Sequence, residues 1–96
     1  MEGFDWDEGN KLKNWLKHKV SVKEAESVFQ DQKAIFAKDP KHSELEQRYS
    51  VIGRSKKDRK LIIFFTVRGK NIRIISARDQ SKKEREKYKQ SLKLKL

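Results

Sequence analysis

The apolar residues of this 96-residue chain fall into blocks at 12–16, 20–29, 35–36, 49–52 and 61–75, and the spacing within each block predicts a different element. Lys60 to Arg68 and Asn71 to Arg78 alternate with period two about Gly69-Lys70, which predicts two antiparallel strands joined by a two-residue turn. That register sets Arg68 opposite Asn71, Thr66 opposite Arg73 and Phe64 opposite Ile75. One face then carries Leu61, Ile63, Phe65, Val67, Ile72 and Ile74, an apolar surface that needs covering, and the other carries Arg68 and Arg73. Arg78, at the end of the second strand, has the opposite parity from Arg73. Upstream, Arg48 to Arg54 alternates Arg48, Ser50, Ile52 and Arg54 against Tyr49, Val51 and Gly53, and so predicts a third strand of an antiparallel meander. A short strand is expected around Ile35-Phe36. Asp39-Pro40 ends it, because proline lacks the ladder donor and holds the preceding residue away from helix.

Helical spacing flanks this sheet. After a short extended entry at Phe4–Trp6, Asp7 is placed to cap a helix through about Lys17, with Leu12, Trp15 and Leu16 on one side. Ser21-Val22-Lys23-Glu24 has capping-box spacing and opens a second helix whose stripe is Val22, Ala25, Val28 and Phe29. The two form a helical pair suited to the apolar side of the sheet. Ser81-Lys82-Lys83-Glu84 repeats the capping-box spacing and opens a basic helix through about Gln90, anchored by Tyr88. The fold class is therefore α+β: an antiparallel meander packed against N-terminal helices, with a basic C-terminal helix. Residues 1–90 read as one domain and 91–96 as a tail.

Charge divides the chain. Residues 1–50 carry nine Lys/Arg against ten Asp/Glu, a net of −1, whereas residues 51–96 carry sixteen against four, a net of +12. A basic half attracts nucleic acid, an anionic membrane or an acidic protein. The chain has no cysteine and only two histidines, His18 and His42, which excludes thiolate metal sites and offers no familiar metal-ligand spacing. No cofactor is expected, and chemistry at this protein reads as metal-free. Neither a leader-like start nor a run approaching the roughly 20 apolar residues of a membrane span is present, so a cytoplasmic protein without membrane contact is expected.

The ordered segments Phe4-Asp5-Trp6-Asp7, Lys17-His18, Val20-Ser21-Val22-Lys23-Glu24-Ala25 and Val28-Phe29-Gln30-Asp31 resemble the first half of the BrnT-type toxin family. Glu46-Gln47-Arg48, Ile52-Gly53-Arg54-Ser55, Thr66-Val67-Arg68, Ile72-Arg73-Ile74-Ile75-Ser76-Ala77-Arg78, and Glu84 with Tyr88 resemble its second half in the same order. The likeness spans about residues 4 to 88. Lys19 and Gln32 depart from it, standing where the family has a glycine suited to a left-handed helix end and a proline. The resemblance implies a type II toxin with a RelE-like fold: a metal-independent endoribonuclease held inactive by a cognate DNA-binding antitoxin. Promoter DNA would be bound only through the toxin–antitoxin complex.

RNA cleavage of this kind needs no protein nucleophile, because the adjacent 2′-hydroxyl attacks phosphorus and leaves a 2′,3′-cyclic phosphate and a 5′-hydroxyl. The protein supplies charge and proton handling. Arg68 and Arg73 are the first candidates to hold the phosphate, since guanidinium groups bind it in a two-pronged way that lysine cannot copy. Arg48 joins them from a neighbouring strand. Glu46, two residues earlier, is placed to orient Arg48 or to accept the 2′-hydroxyl proton. His18 is the candidate imidazole, while His42 reads as an exposed loop residue. Arg78, Lys82, Lys83 and Arg85 are candidates for RNA binding, although the same basic helix could dock an acidic antitoxin segment and Arg78 could tie that helix to the sheet. Trp6 and Trp15 read as core residues rather than base-stacking ones. The competing readings are a non-catalytic basic nucleic-acid-binding module and a protein-interaction module.

Overall fold

The computed structural model describes residues 3–42 and 46–94. Five strands, β1 (Gly3–Trp6), β2 (Ile35–Lys38), β3 (Arg48–Arg54), β4 (Lys60–Arg68) and β5 (Asn71–Asp79), form one sheet in the order β1-β5-β4-β3-β2. Three helices accompany it: α1 (Glu8–His18), α2 (Val22–Ser27) and α3 (Lys82–Leu94). The meander β2-β3-β4-β5 is antiparallel as expected, but β1 is a full strand that pairs parallel to β5, from Gly3 opposite Asn71 to Trp6 opposite Ile74. The sheet is thus mixed rather than a pure meander.

The hairpin starts in the expected register. Gly69 takes φ +60° at the first turn position, a conformation that glycine reaches without strain, and Arg68 and Thr66 face Asn71 and Arg73. A β-bulge then shifts the pairing, so that Phe65 faces Ile74 and Phe64 faces Ser76 instead of Ile75. Ile75 is the extra residue. Because one inserted residue reverses the alternation beyond it, Arg78 lands opposite Ile62 on the same face as Arg73, not on the other face.

The inner face holds the main core. Val51, Leu61, Ile63, Phe65, Ile72, Ile74 and Ala77 pack with Val20, Ala25, Val28 and Ala34, and a row of edge-to-face rings links Phe4, Phe29 and Phe65. Val67, expected on this surface, is exposed near the hairpin end. The core brings the 3-10 turn Val28–Gln30 so close to β3 that a Cβ on Gly53 would stand 3.0 Å from Val28 Cγ1 and 3.1 Å from Asp31 Oδ2.

The outer face is not purely polar. At one end Ile52 and Ile62 pack against Tyr88 of α3, with Ile35, Phe64 and Leu92 around them. Tyr88 is 1% exposed, as an anchor should be, and its hydroxyl donates to Asp31 Oδ2 at 2.6 Å. Helix α3 runs past Gln90 to Leu94 because Leu92 extends its apolar side.

Capping follows the sequence with one exception. Asp7 accepts the Asn10 N–H, and the Ser81 box closes both ways: Glu84 N–H donates to Ser81 Oγ at 3.3 Å while Ser81 N–H donates to Glu84 Oε1 at 2.7 Å. At Ser21 only half the box forms. The serine caps Glu24 N–H, but the Glu24 carboxylate turns inward, accepts from Ser55 Oγ at 2.8 Å and faces Arg59 at 3.7 Å.

Helix α1 departs most from expectation. Its buried residue is Asn14, 3% exposed, whose Oδ1 accepts the Ala77 N–H at 3.2 Å. Strand β1 ends opposite Ile74, so the β5 edge beyond it has no strand neighbour, and α1 lies there instead. Leu12, Trp15 and Leu16, expected to face the core, are 59%, 49% and 62% exposed.

Candidate active site

Arg48, Thr66 and Arg73 are successive members of one row across β3, β4 and β5, and Asp5 of β1 completes it. Strands stand about 4.8 Å apart, so the Arg48 and Arg73 Cα atoms are separated by roughly 10 Å, a span two long guanidinium side chains can close around one phosphate. Arg68 lies two residues along β4 on the same face, diagonal to Arg73. Helix α3 covers the other end of this face. The arginines therefore sit at the end of this face away from its helical wall.

Carboxylates stand beside Arg73 and Arg68. Arg73 Nη1 and Nη2 each stand 3.4 Å from an acidic oxygen, of Asp5 and Asp7 respectively, and Arg68 Nη2 stands 3.2 Å from Glu46 Oε1. These are long for charge-assisted bonds, and pairs of this kind in contact with water contribute little and exchange readily for a better anion. Glu46 pairs with Arg68, and Thr66 Oγ1 donates to the Gln47 carbonyl at 2.8 Å, tying the chain before β3 to β4. Beside the row, Asp39, Arg48, Phe64, Ile75 and Ser76 line a cleft of about 210 Å³. The bulge at Ile75 supplies one of its apolar walls.

The remaining candidates lie elsewhere. Arg78 forms a two-pronged pair with Glu84, at 2.9 and 3.1 Å, and its guanidinium carbon is 5.6 Å from the Phe64 ring centroid. It joins β5 to α3. Burial pushes the Glu84 carboxyl upward, but the bonds from Arg78 and Ser81 outweigh it and leave the pKa lowered. Lys82, Lys83 and Arg85 are exposed in the first turn of α3, with Arg85 Nη1 donating to the Gln80 carbonyl at 2.9 Å. His18 ends α1 beside Arg78 and Asp79, at the far end of β5 from Arg73. Burial, then the charges of Lys17, Arg78 and Arg59, lower its pKa against the opposing pull of Asp79. The His42 side chain is outside the described residues. Trp6, half-buried against the main core, donates its indole N–H to Glu26 Oε2 at 2.8 Å.

Sequence reasoning missed two structural hubs. Arg59 donates to Asp79 at 2.7 and 3.0 Å and to the carbonyls of Lys19 and His18 at 2.7 and 2.8 Å, closing the end of α1. Asp31 accepts from Tyr88, Lys33 N–H and Arg54 N–H. Both sit in polar loops where no periodicity marks them, and their partners are remote in the chain. Among the described residues no group of three or more His, Asp or Glu is arranged to hold a metal ion.

A crystal structure of the Brucella abortus ribonuclease toxin BrnT has this fold. The two chains share 20% identity with a TM-score of 0.64, over 85% of this chain and 100% of that one. No curated protein matches. The model of the family described as the ribonuclease toxin, BrnT, of type II toxin-antitoxin systems matches residues 6–84, a span that includes β3, β4, β5 and their arginines. With most of its length accounted for in this way, the chain belongs to the BrnT family of ribonuclease toxins.

Proposed function

We propose that this toxin is a metal-independent endoribonuclease of RelE-like type that cuts RNA by 2′-hydroxyl attack, with Arg48, Arg73 and Arg68 holding the scissile phosphate. The observation that carries the reading is the Arg48–Thr66–Arg73 row, with Arg68 diagonal to it, at the end of the outer sheet face away from α3. An incoming phosphate displaces Asp5, Asp7 and Glu46 from their guanidinium partners. The arginines then stabilise the charge that builds on the phosphoryl oxygens in the transition state. Glu46, released from Arg68, accepts the 2′-hydroxyl proton, and as the P–O5′ bond breaks solvent water protonates the departing oxygen, which leaves as a 5′-hydroxyl. Lys82, Lys83 and Arg85 on the helical wall steer the RNA strand toward the row, while Arg78 holds that wall in place through Glu84. His18 lies at the other end of β5 and has no part in proton transfer.

The protein acts in the cytoplasm and is held inactive by a cognate DNA-binding antitoxin, through which alone it meets promoter DNA. Family membership supports the antitoxin, and among the described residues no helix is long and apolar enough to cross a membrane.

The test is incubation of the purified protein with RNA in EDTA, with the product ends analysed. Cyclic 2′,3′-phosphate ends should form at an undiminished rate. Arg73→Ala or Arg48→Ala should slow cleavage by about 10² to 10³, the usual cost of one preorganised donor. Arg73→Lys should recover little, since an ammonium cannot bind two phosphoryl oxygens in one plane. Cleavage that stops in EDTA and returns with added Mg²⁺ rules the mechanism out.

A further inference from the structure

The outward side of α1 carries an apolar stripe that the fold leaves uncovered. At 100° per residue, Leu12 and Leu16 lie about 160° round the helix from buried Asn14, and Trp15 lies between that stripe and the sheet side. Their exposures of 59%, 62% and 49% amount to a contiguous patch on the order of 300 Å², large for one helix of a small protein. An exposed tryptophan flanked by two leucines is a costly surface to leave in water, and tryptophan is among the residues that dominate interface centres. Its rim is mostly basic: Glu8, one turn before Leu12, is exposed but paired with Lys11 at 3.1 Å, and the remaining flanking charges are lysines. Lys13 and Lys17 are exposed on the same helix, and Lys19 Nζ lies 5.4 Å from the Trp15 ring centroid.

This rim decides the occupant. A second copy of the chain, packed face to face, would set lysines against lysines and would bury roughly half of what a standard interface needs. RNA would find the cations but would leave the leucines wet. We infer that the Leu12–Trp15–Leu16 stripe receives an amphipathic segment of the antitoxin, apolar on one side and acidic along its margins. The inference rests on the antitoxin reading given above. It assigns that contact to α1, away from the arginine row, and not to the basic helix α3. Since Asp7 caps α1 and also pairs with Arg73, a segment seated on α1 lies next to the part of the site that β1 supplies.

The test uses the full chain and the product of the adjacent antitoxin gene. Leu12→Glu with Leu16→Glu should weaken binding in titration calorimetry by at least about 100-fold, while RNA cleavage and the melting temperature stay near those of the parent. Trp15→Ala, which adds no charge, should weaken it by about 10-fold, and Lys13→Glu with Lys17→Glu should slow association and flatten its salt dependence. Unchanged binding by the leucine variant overturns the inference but leaves the antitoxin reading intact. Failure of the parent chain to bind that product overturns both. A concentration-dependent dimer of the parent, abolished in the leucine variant, gives the stripe to a second copy and overturns the inference as well.

Discussion

Lys19 holds φ 55° and ψ 40° at the end of α1, the left-handed conformation that a side chain strains to adopt. Its N–H donates to the Trp15 carbonyl at 3.0 Å and its own carbonyl accepts from Arg59, so the neighbours impose the geometry that a glycine would take freely. The left-handed helix end therefore forms here with a lysine. Lys19→Gly should stabilise the fold by about 0.5 to 1 kcal/mol, the strain relieved less the added freedom of the unfolded chain, and raise the melting temperature by roughly 3 to 6 °C. A calorimetric melt checks it, and a lower melting point would mean that the lysine contributes more, through its stacking on Trp15, than its backbone costs. The same residue shows what a sequence discloses at this scale. Asp7, Ser21 and Ser81 could be placed as caps because capping is local, whereas the inward turn of Glu24 depends on Ser55 and Arg59, some thirty residues away in sequence.

Among the elements, β3, β4 and β5 were legible from alternation alone, and with them the shared face of Arg68 and Arg73; that Arg48 joins this face came only with the β3–β4 register. The bulge was hidden because Ile74 and Ile75 are both apolar, so a slip between them leaves the hydrophobic pattern unbroken. That one residue changes where Arg78 points. The pairing of β1 was hidden too, since a parallel partner lies 68 positions away and no turn announces it. On α1 the spacing revealed an apolar stripe but not which side the sheet would claim; the Ala77 N–H, left beyond the end of β1, selected Asn14. Helix α3 depends on Tyr88 in a way that can be measured. Tyr88→Phe keeps the ring in its cluster but removes the 2.6 Å donor from Asp31, and should cost about 1.5 to 3 kcal/mol in urea unfolding. Because α3 walls the outer face, RNA binding should weaken in parallel. A variant as stable as the parent would show that the Lys33 and Arg54 N–H groups satisfy Asp31 by themselves.

At the scale of the whole molecule, the perturbed groups all favour one pH window. His18 has its folded pKa below its usual 6.5, so the unfolded chain takes up the proton first and stability begins to fall as pH drops below that value. The Asp79 carboxyl is lowered by Arg59 and that of Glu84 chiefly by Arg78. Asp31 is raised by burial but lowered further by Tyr88 and two backbone N–H groups; all three carboxylates lose their contribution below their usual values of 3.8 to 4.5. Tyr88 is raised by burial and by Asp31, so its share is complete below 10.0 and disappears as pH rises through the folded pKa. Urea midpoints measured against pH should form a plateau from about 6.5 to 10 with an acid limb in two steps. His18→Gln should remove the upper step, and an unaltered profile in that variant would assign the step to another group.

The position of β1 also sets a timetable. Its four residues are made before the other strands, yet among the described residues their strand partner is β5, which follows all of them. During synthesis the hairpin segments can pair as they emerge, while β1 waits for a partner that follows β2, β3 and β4 in the chain. A nascent chain therefore cannot set Asp5 and Asp7 against Arg73 until β5 has emerged behind the other strands.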